Sequence, residues 1–220
     1  MLAYELTNNT IPQLQLSDTV SKALQLMSDF KITHLPVVSE EVFLGLISED
    51  DLLDEVNNKS HIELFQNDFV PAYINSNKHF LQAVNISNLY QTNVIPVINE
   101  ENELVGTISG QSLLSALGDF SGANEPGAVI EIQMERSKFN LSEINRIVES
   151  DGAIVLHLNI TTLAEGLLLQ VTISINKREI STLIAAFERY DYSITWYSGE
   201  QLFENDIDSN YRHLMNYLDI

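Results

Sequence analysis

Residues 34–56 read HLPVVSEEVFLGLISEDDLLDEV. Leu35–Val38 is apolar and rich in β-branched residues, Ser39-Glu40-Glu41 is polar, and Phe43–Ile47 is apolar again. That order predicts strand, tight turn, strand. Leu52, Leu53 and Val56 then fall on one face of a helix. Ser48 stands where strand gives way to helix. Its hydroxyl can accept from a first-turn N–H, and Asp51, three residues on, can reach back.

The stretch recurs. Residues 94–117 read VIPVINEENELVGTISGQSLLSAL. Pro36 aligns with Pro96, Gly45 with Gly106, Ser48 with Ser109, and Leu52-Leu53 with Leu113-Leu114. The second copy carries one added residue in its turn. A repeat at this period must be recognised before the fold is assigned. Each copy is too short to bury its own apolar face, so the two are expected to pack about a pseudo-twofold.

Working outward, Thr10-Ile11-Pro12 reads as an entry strand and Ser17 as a helix cap. Val20, Ala23, Leu24 and Met27 form the face of the helix that follows. Residues 61–69 are a partly helical connector, and the second copy restarts at Val70-Pro71, with Phe80, Ala83, Val84 and Leu89 on its helix face. The segment GDFSGANEPG, residues 118–127, has three glycines and a proline and marks a domain boundary. Beyond it, Ala128–Met134 alternates as a strand, and Asn140 or Ser142 opens a helix that carries Ile144, Ile147 and Val148 and ends at Asp151-Gly152. Residues 153–162 and 167–175 are strands joined by a turn at 163–166, residues 179–189 a helix, and residues 192–197 a last strand. This βαββαβ order is the ferredoxin-like arrangement. The tail, residues 200–220, is acidic and then places Tyr211, Leu214, Met215 and Leu218 at helical spacing. The fold class is therefore α+β, with repeats at about 1–60 and 61–120, a second domain at 125–199 and an amphipathic tail.

The whole-chain figures narrow the function. The 220 residues hold 31 Asp and Glu against 11 Lys and Arg, a formal charge of −20. Such a field repels phosphate backbones and anionic lipid, so neither nucleic acid nor membrane is an expected partner. No cysteine is present. That excludes thiolate chemistry and a disulfide framework, and suits a reducing cytoplasm. The first residues carry no signal peptide, and no apolar run approaches the ~20 residues of a membrane span.

The doubled motif, strand-Pro-Val, hairpin, Gly-apolar-apolar-Ser, helix, with Asp at the third position after Ser48, resembles a tandem pair of CBS domains, a Bateman module. Residues 125–199 resemble an ACT domain. Together they resemble small acetoin-utilization-type regulatory proteins with CBS and ACT domains. The resemblance implies a cytoplasmic regulatory homodimer, with an unknown protein partner, and no enzyme. Its regulatory ligand would be of adenosine type (AMP, ADP, ATP or S-adenosylmethionine) with no resident cofactor and no metal. ACT domains that bind amino acids usually carry an Asp-x-x-Gly turn after their first strand. Here that turn, residues 135–140, has neither Gly nor Pro.

In CBS pairs the Asp takes the ribose hydroxyls, the Ser or Thr meets phosphate, and the strand-Pro segment frames the base. Carried onto this chain, the first site is Ser48 and Asp51 with Thr33, His34, Leu35, Pro36, Thr10 and Ile11. The second has Ser109 and Ser112, with Ser112 in place of the ribose carboxylate. Ser48 with Asp51 is equally a capping pair that a ligand-free helix would use. Glu49, Asp50 and Asp51 crowd one helical turn, stabilise its dipole and repel polyphosphate. The first site should thus prefer a nucleoside, a monophosphate or a metal-bridged nucleotide, and the second should be weak or empty. His34 has no nucleophile or orienting partner, which favours packing or ligand stacking over base catalysis. Trp196, Tyr190, Tyr192 and Tyr197 read as core or interface. The alternative function is a ligand-free scaffold that assembles through its CBS and ACT-like surfaces.

Overall fold

The computed structural model describes residues 1–53, 59–163 and 166–200. Val56, part of the expected 163–166 turn and the helical spacing of Tyr211, Leu214, Met215 and Leu218 read in the tail lie outside them. The chain divides into two compact units, Met1–Leu117 and Gly118–Ile220.

The first unit opens with a short helix α1 (Ala3–Leu6), then β1 (Leu14–Gln15), α2 (Val20–Phe30), β2 (His34–Ser39), β3 (Val42–Ser48) and α3 (Glu49–Leu53). The entry strand is Leu14–Gln15, paired parallel to Val37 and Val38, and not Thr10–Pro12. The helix cap is Thr19, whose hydroxyl accepts from Lys22 N–H at 3.3 Å, and not Ser17. Asp18 accepts the Gln15 N–H at 2.9 Å, which closes the turn and leaves Thr19 as the last residue before the helix. Val20, Ala23 and Met27 bury against Leu35, Val37 and Ile47, with Leu24 packed alongside. The second repeat follows as a 3-10 turn (Ile62–Phe65), β4 (Ile74–Asn75), α4 (Leu81–Tyr90), β5 (Val94–Ile98), β6 (Leu104–Ser109) and α5 (Gly110–Ser121). Its sheet, β4-β5-β6, copies β1-β2-β3. Leu89, expected on the buried face of α4, is 69% exposed, and Ile86 packs inward in its place.

The two repeats exchange their leading segments. Ala3 joins the core of the second repeat with Ile74, Phe80, Ile95 and Ile108. Ala3 N–H donates to Lys78 O at 2.8 Å, and Asn8 and Thr107 exchange two backbone bonds of 2.9 Å. Reciprocally, Ile62 and Phe65 join the core of the first repeat. Ile62 N–H donates to Asp18 O at 2.9 Å, and Leu46 and Val70 exchange two bonds of 2.9 Å. The hairpins are tied in the same symmetric manner, Phe43 N–H to Asn102 O and Leu104 N–H to Glu41 O, both 2.9 Å. Gly45 and Gly106 make the crossings possible. A Cβ on Gly45 would lie 2.7 Å from Phe69 Cβ, and one on Gly106 would lie 2.9 Å from Asn8 O.

In the second unit α5 runs on into the glycine-rich segment, and Gly122, at φ 67°, follows its end. Then come β7 (Ala128–Glu135), a 3-10 turn (Arg136–Lys138), α6 (Leu141–Ser150), β8 (Val155–Leu163), β9 (Leu168–Ile175), α7 (Ser181–Arg189) and β10 (Ser193–Ser198). Asn140 caps α6 through Glu143 N–H. The sheet order β10-β7-β9-β8, antiparallel throughout, is that of a ferredoxin-like domain. Alternate residues Ile130, Ile132, Val171 and Ile173 meet Ile144, Ile147, Leu183 and Phe187 from the helices. Leu167, expected to begin the 167–175 strand, precedes β9 and is 73% exposed. Tyr192 is buried and donates to Glu143 at 2.8 Å, whereas Tyr190 and Trp196 are exposed.

Candidate functional site in the repeat cleft

β2 and β3 are in register so that His34 faces Ser48 at the end of the hairpin. The ladder then hands over to α3, with Glu49 N–H donating to Thr33 O at 2.9 Å. The Ser48 hydroxyl accepts from Asp51 N–H at 3.1 Å and donates to Asp51 Oδ2 at 2.5 Å. The expected capping pair thus forms, but the carboxylate returns to the Ser48 hydroxyl and not to its backbone. Thr33 Oγ1 lies 2.9 Å from His34 Nδ1. Burial holds the His34 imidazole below its usual pKa, against the opposing pull of Asp51 and Asp50. Leu35 and Pro36 are buried behind it. Thr33, His34, Ser48 and Asp51 therefore form one cluster.

The second repeat reproduces the backbone and changes the groups. Val94 faces Ser109, and Gly110 N–H donates to Asn93 O at 2.8 Å. Ser109 Oγ accepts from Ser112 N–H at 3.0 Å and is hydrogen-bonded to Ser112 Oγ at 2.8 Å, where either hydroxyl can donate. No carboxylate stands where Asp51 does in the first repeat. The two clusters meet: Asn93 Oδ1 accepts from Thr33 N–H at 3.1 Å and lies 3.2 Å from Thr33 Oγ1, while Asn93 Nδ2 donates to Lys31 O at 3.1 Å. Sequence reasoning passed over Asn93. It is the repeat equivalent of Thr33, and residues at equivalent places near a pseudo-twofold axis touch one another.

Thr10 is not joined to this cluster by any hydrogen bond between described residues. Its N–H and hydroxyl bind Asn8 Oδ1, at 3.2 and 2.7 Å. Ile11 packs on the cluster that holds Leu35 and Ile47, and with Asn9, Pro12 and Gln13 it borders a pocket of about 290 Å³ closed by Leu104–Thr107. Among the described residues, no three His, Asp or Glu gather to hold a metal, and no helix is long and apolar enough to cross a membrane. The 135–140 turn borders a separate pocket of about 630 Å³ with Gly166–Leu168.

Residues 3–58 match the CBS domain family. The match covers the first repeat, whose sheet the second repeat copies. The matched CBS residues include the α1 segment that packs on the second repeat. A solved CBS domain pair/ACT domain protein from Thermotoga maritima is 23% identical, with a TM-score of 0.49, over 54% of this chain and 98% of that one. The structure of CBSX2 in complex with AMP is 17% identical, with a TM-score of 0.45, over 54% of this chain and 96% of that one. A homoserine O-acetyltransferase from Methanococcus vannielii is 26% identical over 108 residues, which are 46% of this chain and 22% of that protein. The match thus spans about a fifth of that relative's length.

Proposed function

We propose that this protein is a regulatory ligand sensor whose first CBS repeat binds an adenosine-type ligand without a polyphosphate chain, adenosine or its monophosphate. Asp51 carries the reading. Ser48 occupies Oδ2, and Oδ1 makes no hydrogen bond among the described residues. A carboxylate so placed accepts the two neighbouring hydroxyls of a ribose. Thr33, His34, Leu35, Pro36 and Ile11 frame the base, and Thr10 closes the approach. Glu49, Asp50 and Asp51 lie side by side, and their charge disfavours a triphosphate unless a magnesium ion bridges it. The second CBS repeat, with Ser109 and Ser112, can meet phosphate but lacks the group that holds ribose. Binding works by population shift: it favours one pose of the pair, or one state of a partner contact, by no more than its differential affinity for the two.

The Ser48–Asp51 bond also favours a second reading. It caps α3 with no ligand present, as a scaffold protein would require. A thermal-shift titration with adenosine, AMP, ADP, ATP and S-adenosylmethionine, with and without magnesium, separates the two. At ~100 times its dissociation constant a ligand stabilises the fold by ~2.7 kcal/mol. The sensor reading expects a shift with adenosine or AMP that Asp51→Ala abolishes. A shift indifferent to Asp51→Ala removes that residue from the site, and no shift with any ligand leaves the scaffold.

A further inference from the structure

The Asn93 side chain reaches from the second repeat into the first, and its bonds fix which way the amide points. Nδ2 donates to Lys31 O at 3.1 Å, so Oδ1 is the atom turned to Thr33. The reversed amide would set an NH2 group against the Thr33 N–H, donor against donor. Oδ1 accepts from Thr33 N–H at 3.1 Å and from the Thr33 hydroxyl at 3.2 Å. That hydroxyl has one proton to give. Its oxygen also lies 2.9 Å from His34 Nδ1.

Counting bonds decides where the proton goes. If the hydroxyl donates to Asn93, Nδ1 carries a proton of its own and donates to Thr33, and two hydrogen bonds run in series. If the hydroxyl donates to Nδ1 instead, one bond forms and two oxygen lone pairs face each other across 3.2 Å. The first arrangement gains a hydrogen bond and relieves the repulsion. A neutral imidazole protonated at Nδ1 has a bare Nε2, because the bond made by one ring nitrogen sets the state of the other. Among the described residues that Nε2 makes no hydrogen bond.

We propose that Asn93, a residue of the second repeat, determines which base the first-repeat site accepts. It acts through Thr33 and His34, as a positioning residue. By holding His34 in the Nδ1–H form it makes Nε2 an acceptor, which pairs with an amino group on the base and repels a carbonyl. The inference rests on the sensor reading above and adds the origin of its selectivity: a 6-aminopurine nucleoside is favoured over its 6-oxo counterpart.

Nitrogen-15 NMR of the full chain at pH 8 reads the ring directly, since burial keeps His34 neutral there. His34→Val identifies its signals among those of the five histidines. With no ligand added, the wild type should show a protonated Nδ1 and a bare Nε2. Asn93→Ala and Thr33→Val each break the chain of bonds and should release the ring to the Nε2–H form. Asn93→Asp keeps an acceptor for both Thr33 donors and should hold the Nδ1–H form. The bond from Gly110 N–H to the Asn93 backbone survives all of these changes. In titration calorimetry the wild type should bind adenosine about tenfold more tightly than inosine, and Asn93→Ala should bring that ratio close to one. An Nε2–H ring in the wild type, an Nδ1–H ring that survives Asn93→Ala, an Asn93→Asp ring that matches Asn93→Ala, or equal wild-type affinities for the two nucleosides overturns the proposal. Binding of neither nucleoside, with the ring spectra as expected, overturns the sensor reading and the selection built on it, and leaves Asn93 as the group that fixes the ring.

Discussion

β3 delivers Ser48 to a helix that begins Glu49-Asp50-Asp51, and β6 delivers Ser109 to one that begins Gly110-Gln111-Ser112. Both serines accept the N–H three residues on, at 3.1 and 3.0 Å, and both hairpins cross a neighbouring segment at a glycine. What the repeats share is what their backbone needs: a proline in the inner strand, a glycine at the crossing, a hydroxyl at the helix start. What they do not share is what a ligand would read. His34 becomes Val94, Thr33 becomes Asn93, and Asp51 becomes Ser112. One framework carries a charged, titratable cleft on one side of its pseudo-axis and a neutral one on the other.

The largest effect should come from breaking what the repeats have in common. Gly45→Ala and Gly106→Ala each force a methyl group against fixed atoms, Phe69 Cβ or Asn8 O. Each should destabilise the pair by about 1–3 kcal/mol, measured by urea unfolding. If one substitution is neutral, the crossings are not equivalent. A smaller effect should come from erasing the difference. Ser112→Asp gives the second repeat the carboxylate of the first and should add a second nucleoside site, worth about tenfold in affinity or ~1.4 kcal/mol. Titration calorimetry reads it as a change from one bound ligand to two, and unchanged stoichiometry would show that the carboxylate alone does not make the site.

The smallest effect is a pH dependence confined to the first repeat. Burial holds the folded pKa of His34 below its unfolded value of about 6.5. The folded state therefore binds the proton less readily than the unfolded one. Stability from the neutral ring is complete above the unfolded pKa and is lost as pH falls through the folded one. His34→Val copies the second repeat, where Val94 is fully buried. Melting temperatures followed from pH 8 to pH 5 should fall more steeply for the wild type than for His34→Val. Parallel curves would dismiss His34 as the source.

Much of this was legible in the residues because the repeat supplied two readings of each element. The hairpins, the serine caps and the βαββαβ order each rest on local patterns, and β7 and β9 alternate along most of their length. The errors arose where the deciding partner is distant or the local competition is close. Thr19 displaced Ser17 because Asp18 was drawn back to Gln15. Leu89 lost its place to Ile86 because either residue completes a helical stripe on α4. Asn93 in contact with Thr33 could be reached only by treating the pseudo-axis as a place where equivalent residues meet. The exchange of leading segments left no mark in any window of sequence.

That exchange makes the boundary between the repeats a poor place to cut. Residues 1–9 close the half that follows them, and residues 62–70 close the half that precedes them. As the chain emerges, its first segment must wait for strands some seventy to a hundred positions later before it can bury Ala3. The first repeat in turn stays unclasped until the connector arrives. The pair should fold in a single concerted transition, at a pace set by those distant closures. Either half expressed alone would carry a clasp with nothing to hold and an open flank where its neighbour's clasp belongs.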